Sequence, residues 1–97
     1  MTDTQPTVRH VADQQRYELL VEGQPLGIAQ YREQGEQMVF THTEVDPSLS
    51  GQGLGSELAK GALEDARRRG KRVVPQCEFI AAYIERHAEW QDLVDPA

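Results

Sequence analysis

Ser50-Gly51-Gln52-Gly53-Leu54-Gly55-Ser56 places three glycines within five residues, between a strand-like run and a helix-like run. A stretch this poor in side chains can take positive φ and lets a ligand approach without meeting Cβ atoms. The helix that follows opens with N–H groups that have no intrahelical partner, and its dipole adds positive potential at that end. Several amides can thus converge on the oxygens of a phosphate or diphosphate. Plain turn geometry would use the same glycines. No Gly-Lys-Ser or Gly-Lys-Thr closes the run, so it is not a Walker loop, and Gly51-x-Gly53-x-Gly55 departs from the G-x-G-x-x-G of dinucleotide folds.

The elements around the loop follow from hydrophobic periodicity. Val8, His10 and Ala12 alternate with polar neighbours as a first strand, and Tyr17, Leu19 and Val21 form a second. Gly23-Gln24-Pro25 makes a turn into a third strand, Leu26 to Arg32, and Gln34-Gly35-Glu36 turns into a fourth, Gln37 to Val45. In that fourth strand a period of two puts Met38, Phe40, His42 and Glu44 on one face and Val39, Thr41, Thr43 and Val45 on the other. The result is a four-stranded antiparallel meander. Leu54, Leu58, Ala59, Ala62, Leu63 and Ala66 then recur at spacings of three and four, the stripe of an amphipathic helix. Arg72-Val73-Val74 reads as a short fifth strand stopped by Pro75, and a second helix runs from about Glu78 to His87. The fold class is mixed α/β (α+β), with residues 7–97 as one domain behind a frayed Met1 to Pro6.

A chain of 97 residues has room for a compact two-layer fold and no second domain. Its single cysteine excludes an internal disulfide. With no apolar run long enough for a signal segment or a membrane span, the sequence points to a reducing cytosolic compartment. The net charge of −6 argues against nucleic acid, which needs a dominant basic face. Arg67-Arg68-Arg69-Gly70-Lys71-Arg72 is a local exception. It reads as a helix end, where cations complement the dipole and Gly70 supplies the turn, or as side chains holding a charged nucleotide.

The spacing Ser50 to Gly55 resembles the pyrophosphate loop of the GNAT superfamily of acyl-CoA-dependent N-acyltransferases, Gln/Arg-x-x-Gly-x-Gly/Ala. The flanks extend the likeness: His42-Thr43-Glu44-Val45-Asp46-Pro47 leads in, and Val74-Pro75-Gln76-Cys77-Glu78-Phe79-Ile80 with Tyr83-Ile84-Glu85-Arg86-His87 follows. These are similar to small, minimal members of that superfamily, over about Glu18 to Val94. The resemblance implies acetyl-CoA as co-substrate, no metal, and an amine acceptor on a small molecule or peptide. It also implies that amides of Gly51, Gln52, Gly53, Leu54, Gly55 and Ser56 take the diphosphate while backbone near Val45 pairs with the pantetheine arm. Ser50 stands where the motif has Gln or Arg, the loss of one contact worth about 0 to 1 kcal/mol. Larger relatives wall the acceptor pocket with helices between the first two strands, and none fits between Val8 and Tyr17. The acceptor side is therefore open, or completed by another molecule such as a second copy in a homodimer.

Transfer to an amine needs the amine neutral, which costs a lysine of pKa ~10.4 about 4.6 kcal/mol at pH 7. His42 and Glu44, on the strand entering the loop, are the candidate bases; each could equally be an ordinary sheet residue. The resemblance offers Tyr83 as the acid that protonates the departing thiolate, although a helical tyrosine on an apolar face is commonly packed. Cys77 opens the second helix, where amide dipoles stabilise a thiolate, and can relay the acetyl group by thioester exchange or merely line the channel. The leading reading is an acetyl-CoA-dependent N-acetyltransferase. The alternatives are a non-catalytic (acetyl-)CoA-binding or protein-interaction module and a nucleotide-binding adaptor.

Overall fold

Glu22 and Gly23 both adopt positive φ, 53° and 82°. Two consecutive left-handed residues make the hairpin turn whose twist suits the flanking strands, and here they fold β2 (Arg16–Val21) back as β3 (Gln24–Gln34). The third strand thus begins two residues earlier than periodicity suggests. Gly35, also at positive φ, leads β3 into β4 (Gln37–Val45), and β1 (Thr7–Val11) reaches β2 through one 3-10 turn at Ala12–Gln14. The computed structural model describes residues 6–47 and 53–95. Ser50, Gly51 and Gln52 lie outside these, as do Met1 to Gln5.

Strand order is β1-β2-β3-β4-β5. The first four strands are antiparallel neighbours, and β5 (Arg72–Pro75) lies parallel to β4. Parallel neighbours cannot be joined by a hairpin, so the chain crosses over through α1 (Leu54–Arg68). The helix sits on the sheet face formed by Tyr17, Leu19, Ala29, Tyr31, Met38, Phe40 and Val73. Its predicted stripe is the buried one: Leu58, Ala59, Ala62, Leu63 and Ala66 are fully covered. Each large apolar side chain removed from water there contributes about 1.5–3 kcal/mol. α2 (Glu78–Arg86) adds Ile80, Tyr83 and Ile84 over β4 and β5. The stretch after it forms a 3-10 segment, Ala88–Leu93, that buries Trp90 and Leu93.

Periodicity gives no hint that α1 also buries an acid. Asp65 is 8 % exposed on the sheet-facing side, where the Tyr17 hydroxyl donates to Oδ2 at 2.6 Å, Arg68 pairs with Oδ1, and His10 Nδ1 lies 3.5 Å away. These partners satisfy a carboxylate that would otherwise be costly to bury. Burial and the neighbouring carboxylate together push the Tyr17 hydroxyl far up, so it stays a donor.

The phase of β4 corrects the sequence reading. Gln30 pairs with His42 but Tyr31 pairs with Phe40, so β4 carries one extra residue, Thr41. Such a bulge exchanges the two faces of the strand beyond it. Met38 and Phe40 share the face that α1 covers, yet His42 and Glu44 face the opposite side, and Thr43 joins the helix-covered face through the row Tyr17-Ala29-Thr43.

Candidate active site

β4 and β5 part at Phe40. Its carbonyl accepts from both Gln76 N–H and Cys77 N–H at 3.0 Å, and the β4–β5 pairing ends at Phe40 and Pro75. From there the chain turns into α2 while β4 continues to Val45 beside β3. Asp46 N–H donates to the Leu26 carbonyl at 2.7 Å, toward β3. By the alternation of an antiparallel ladder, the N–H and C=O of Val45 and of Thr43 point the other way, into the space β5 has left. A backbone edge two residues long is thereby offered to an extended amide-bearing chain.

At the far end of this edge stands the start of α1. Gly53 is the N-cap, at φ 72°, and brings no side chain to bond the first-turn amides. Gly55 is held close: a Cβ on it would lie 2.8 Å from Phe79 Cζ and 3.7 Å from Val45 Cγ2. Leu54 packs against the core, and Ser56 lines a cleft of about 140 Å³ with Phe79, Ala82, Tyr83, Arg86 and His87. The described part of the glycine loop therefore meets the β4 edge at Val45, with Phe79 also against Gly55. These features fit a CoA-type ligand: a cradle that a Cβ would fill and an edge that pairs with amides.

Cys77 is the N-cap of α2, 9 % exposed, with Sγ 3.1 Å from Thr43 Oγ1. Thr43 escaped the sequence reading because an uninterrupted period of two turns it away from Cys77. His42 Nε2 and Glu44 Oε1 are 3.2 Å apart on the opposite face, with side chains 53 % and 68 % exposed. Glu44 also lines an open groove of about 590 Å³ with Gly27, Ile28, Thr43 and Val45. The expected base pair and the expected nucleophile thus occupy opposite faces of one strand. Tyr83 is brought to neither: its ring stacks on His87 at 4.0 Å, and six helical residues, about 9 Å of rise, separate it from Cys77. Burial pushes its hydroxyl up, so it remains protonated.

The basic run lies at the other end of α1, about 22 Å from Gly53 at 1.5 Å per residue. Arg67 bonds Asp92 and stacks over Trp90, Arg69 pairs with Glu33, Lys71 bonds the Gly35 carbonyl, and Arg72 bonds the carbonyls of Asp92 and Val94. With Gly70 at φ 71°, the run works as a helix terminus and a clasp on the C-terminal segment. Among the described residues no group of His, Cys, Asp and Glu is placed to hold a metal ion, and no helix is long and apolar enough to cross a membrane.

An antiparallel meander, one crossover helix, a strand bulge and a parting between β4 and β5 together define a mixed α/β architecture with an open edge on β4. The GCN5-related N-acetyltransferase model matches residues 16–93, and the chain belongs to that family. Its members transfer acetyl groups to amines and generally use acetyl-CoA. In fold it is similar to the solution structure of a GCN5-like protein from Staphylococcus aureus, with a TM-score of 0.71. The two are 23 % identical over 100 % of this chain and 93 % of that one.

Proposed function

We propose that this chain is an acetyl-CoA-dependent N-acetyltransferase acting on a small-molecule or peptide amine, by direct or Cys77-relayed transfer. The observation that carries the proposal is the parting of β4 from β5 beyond Phe40, which leaves Thr43 and Val45 backbone facing a gap with Gly53 and Gly55 at its mouth. In this reading the amides of Gly51 to Ser56 hold the diphosphate, each hydrogen bond to the charged group contributing roughly 1.5–3 kcal/mol. Val45 and Thr43 backbone pairs with the pantetheine arm and directs its end toward Cys77. The co-substrate supplies an acyl group already activated as a thioester.

The residues' own chemistry gives two routes. For direct transfer, Glu44 orients the His42 ring through Nε2 and leaves Nδ1 to take the amine's proton from the open face. The single 3-10 turn between β1 and β2 supports an acceptor side that admits bulky amines, or one that a second copy completes. The relayed route is favoured by the Thr43 hydroxyl, 3.1 Å from Sγ and able to donate to a thiolate there. Tyr83, as a protonated phenol, is the proposed donor to the departing thiolate once bound ligand brings the two together.

Incubation with acetyl-CoA and a panel of polyamines, amino acids and lysine peptides, read by free-thiol release, tests the activity. Turnover of at least one amine is expected. Binding of acetyl-CoA without turnover of any acceptor would leave the non-catalytic module. An acetyl adduct on Cys77 in mass spectra supports the relay, whereas no adduct and a Cys77→Ser variant of unchanged rate remove it.

A further inference from the structure

Phe79 is an exposed large apolar residue, 39 % accessible, on the rim of the site rather than in the core. Its ring sits against Gly55, which also approaches Val45, so it stands where the start of α1 meets the β4 edge. Resting on the CoA reading above, the arm that joins diphosphate to thiol must pass through this place on its way from Gly53–Ser56 to Thr43 and Cys77. We propose that the Phe79 ring is a movable wall of that channel: it covers Gly55 when the site is empty, turns out to admit the arm, and packs along it once bound.

The local chemistry allows the motion. A side chain deep in a helix loses one χ1 well to the preceding turn. Phe79 is the second residue of α2, so the residues three and four before it, Gln76 and Pro75, lie outside the helix and that restriction is lifted. The cleft of about 140 Å³ walled by Ser56, Ala82, Tyr83, Arg86 and His87 adjoins the ring and gives it a second seat. The absent Cβ at Gly55 serves both states: it makes room for the ring when the site is empty and for the ligand when it is filled. A ring that shields apolar surface in one state and covers the arm in the other slows entry and exit alike. The cost of displacing it appears as the fraction of molecules ready to bind.

The chain contains two phenylalanines, Phe40 and Phe79. Labelling with 4-fluorophenylalanine thus gives two fluorine signals, separable with Phe79→Leu, and fully buried Phe40 serves as an internal reference. Addition of CoA is expected to move the Phe79 signal far more than the Phe40 signal. Gly55→Ala without ligand should move the Phe79 signal in the same direction, because the added methyl would lie 2.8 Å from Cζ. Phe79→Ala should raise both association and dissociation rates of CoA by about fivefold or more. If calorimetry shows CoA binding while the Phe79 signal stays still and Phe79→Ala keeps wild-type rates, the moving wall is wrong and the CoA reading stands. If wild-type protein binds no CoA, both fall.

Discussion

The two ends of α1 are built on opposite principles. At its C-terminal end, Asp65, Tyr17, His10 and the cations from Arg67 to Arg72 are tied to partners across β1, β2, β3 and the C-terminal segment. At its N-terminal end, Gly53 and Gly55 withhold side chains, β5 has left β4, and the Phe79 ring lies against Gly55. One end saturates its polar groups and the other keeps backbone groups available. Stability should therefore respond to substitutions at the first end and ligand affinity to substitutions at the second.

The largest separation is expected from Gly55→Val. Its branched side chain would collide with Phe79 and fill the cradle, and loss of one charged hydrogen bond's worth of binding weakens CoA affinity by about 10- to 100-fold. Calorimetry reads that loss, and the melting temperature should hardly move. Tyr17→Phe should do the converse. Removing the hydroxyl leaves Asp65 short of a donor at a buried position and costs about 1–3 kcal/mol in denaturant unfolding, with CoA affinity per folded molecule unchanged.

Acid sharpens the contrast further. Arg9, and then Arg16, hold the Glu18 carboxyl below its usual range. A carboxyl depressed in the folded state stabilises the fold above the unfolded pKa and loses that contribution as pH falls through the folded value. Melting curves between pH 7 and pH 2 should show Glu18→Gln less stable than wild type at neutral pH, with the gap closing below pH ~4. The smallest effect belongs to Arg68→Ala, whose side chain is mostly exposed. It should cost about 0–1 kcal/mol and leave CoA affinity within about twofold. A large loss of CoA affinity there would return the basic run to the nucleotide.

The elements that carry the two ends of α1 were legible in the sequence. The α1 stripe from Leu54 to Ala66 was readable because burial on one helix face repeats every three or four residues, and all but half-covered Leu54 are fully buried. The turns at Gly23 and Gly35 were readable because few other residues take positive φ. Thr41 was not: a bulge is one residue inserted into an alternation, and nothing in residue type distinguishes it from a regular position. That single insertion moved Thr43 to Cys77 and sent His42 and Glu44 to the open face. Parallel pairing of β5 was equally hidden, since Arg72 to Pro75 is too short for its pattern to choose a direction. Asp65 was illegible for a different reason, because what makes its burial tolerable is Tyr17, 48 residues away.

The most direct test is a titration of uniformly ¹⁵N-labelled protein with CoA, followed amide by amide. Perturbations concentrated at Thr43, Val45, Gly53 to Ser56 and Phe79 are expected, with the amides of His10, Tyr17 and Asp65 unmoved. Perturbations centred on that second group, or saturating CoA that leaves the first group unchanged, would contradict the assignment of the open end of α1 as the binding site.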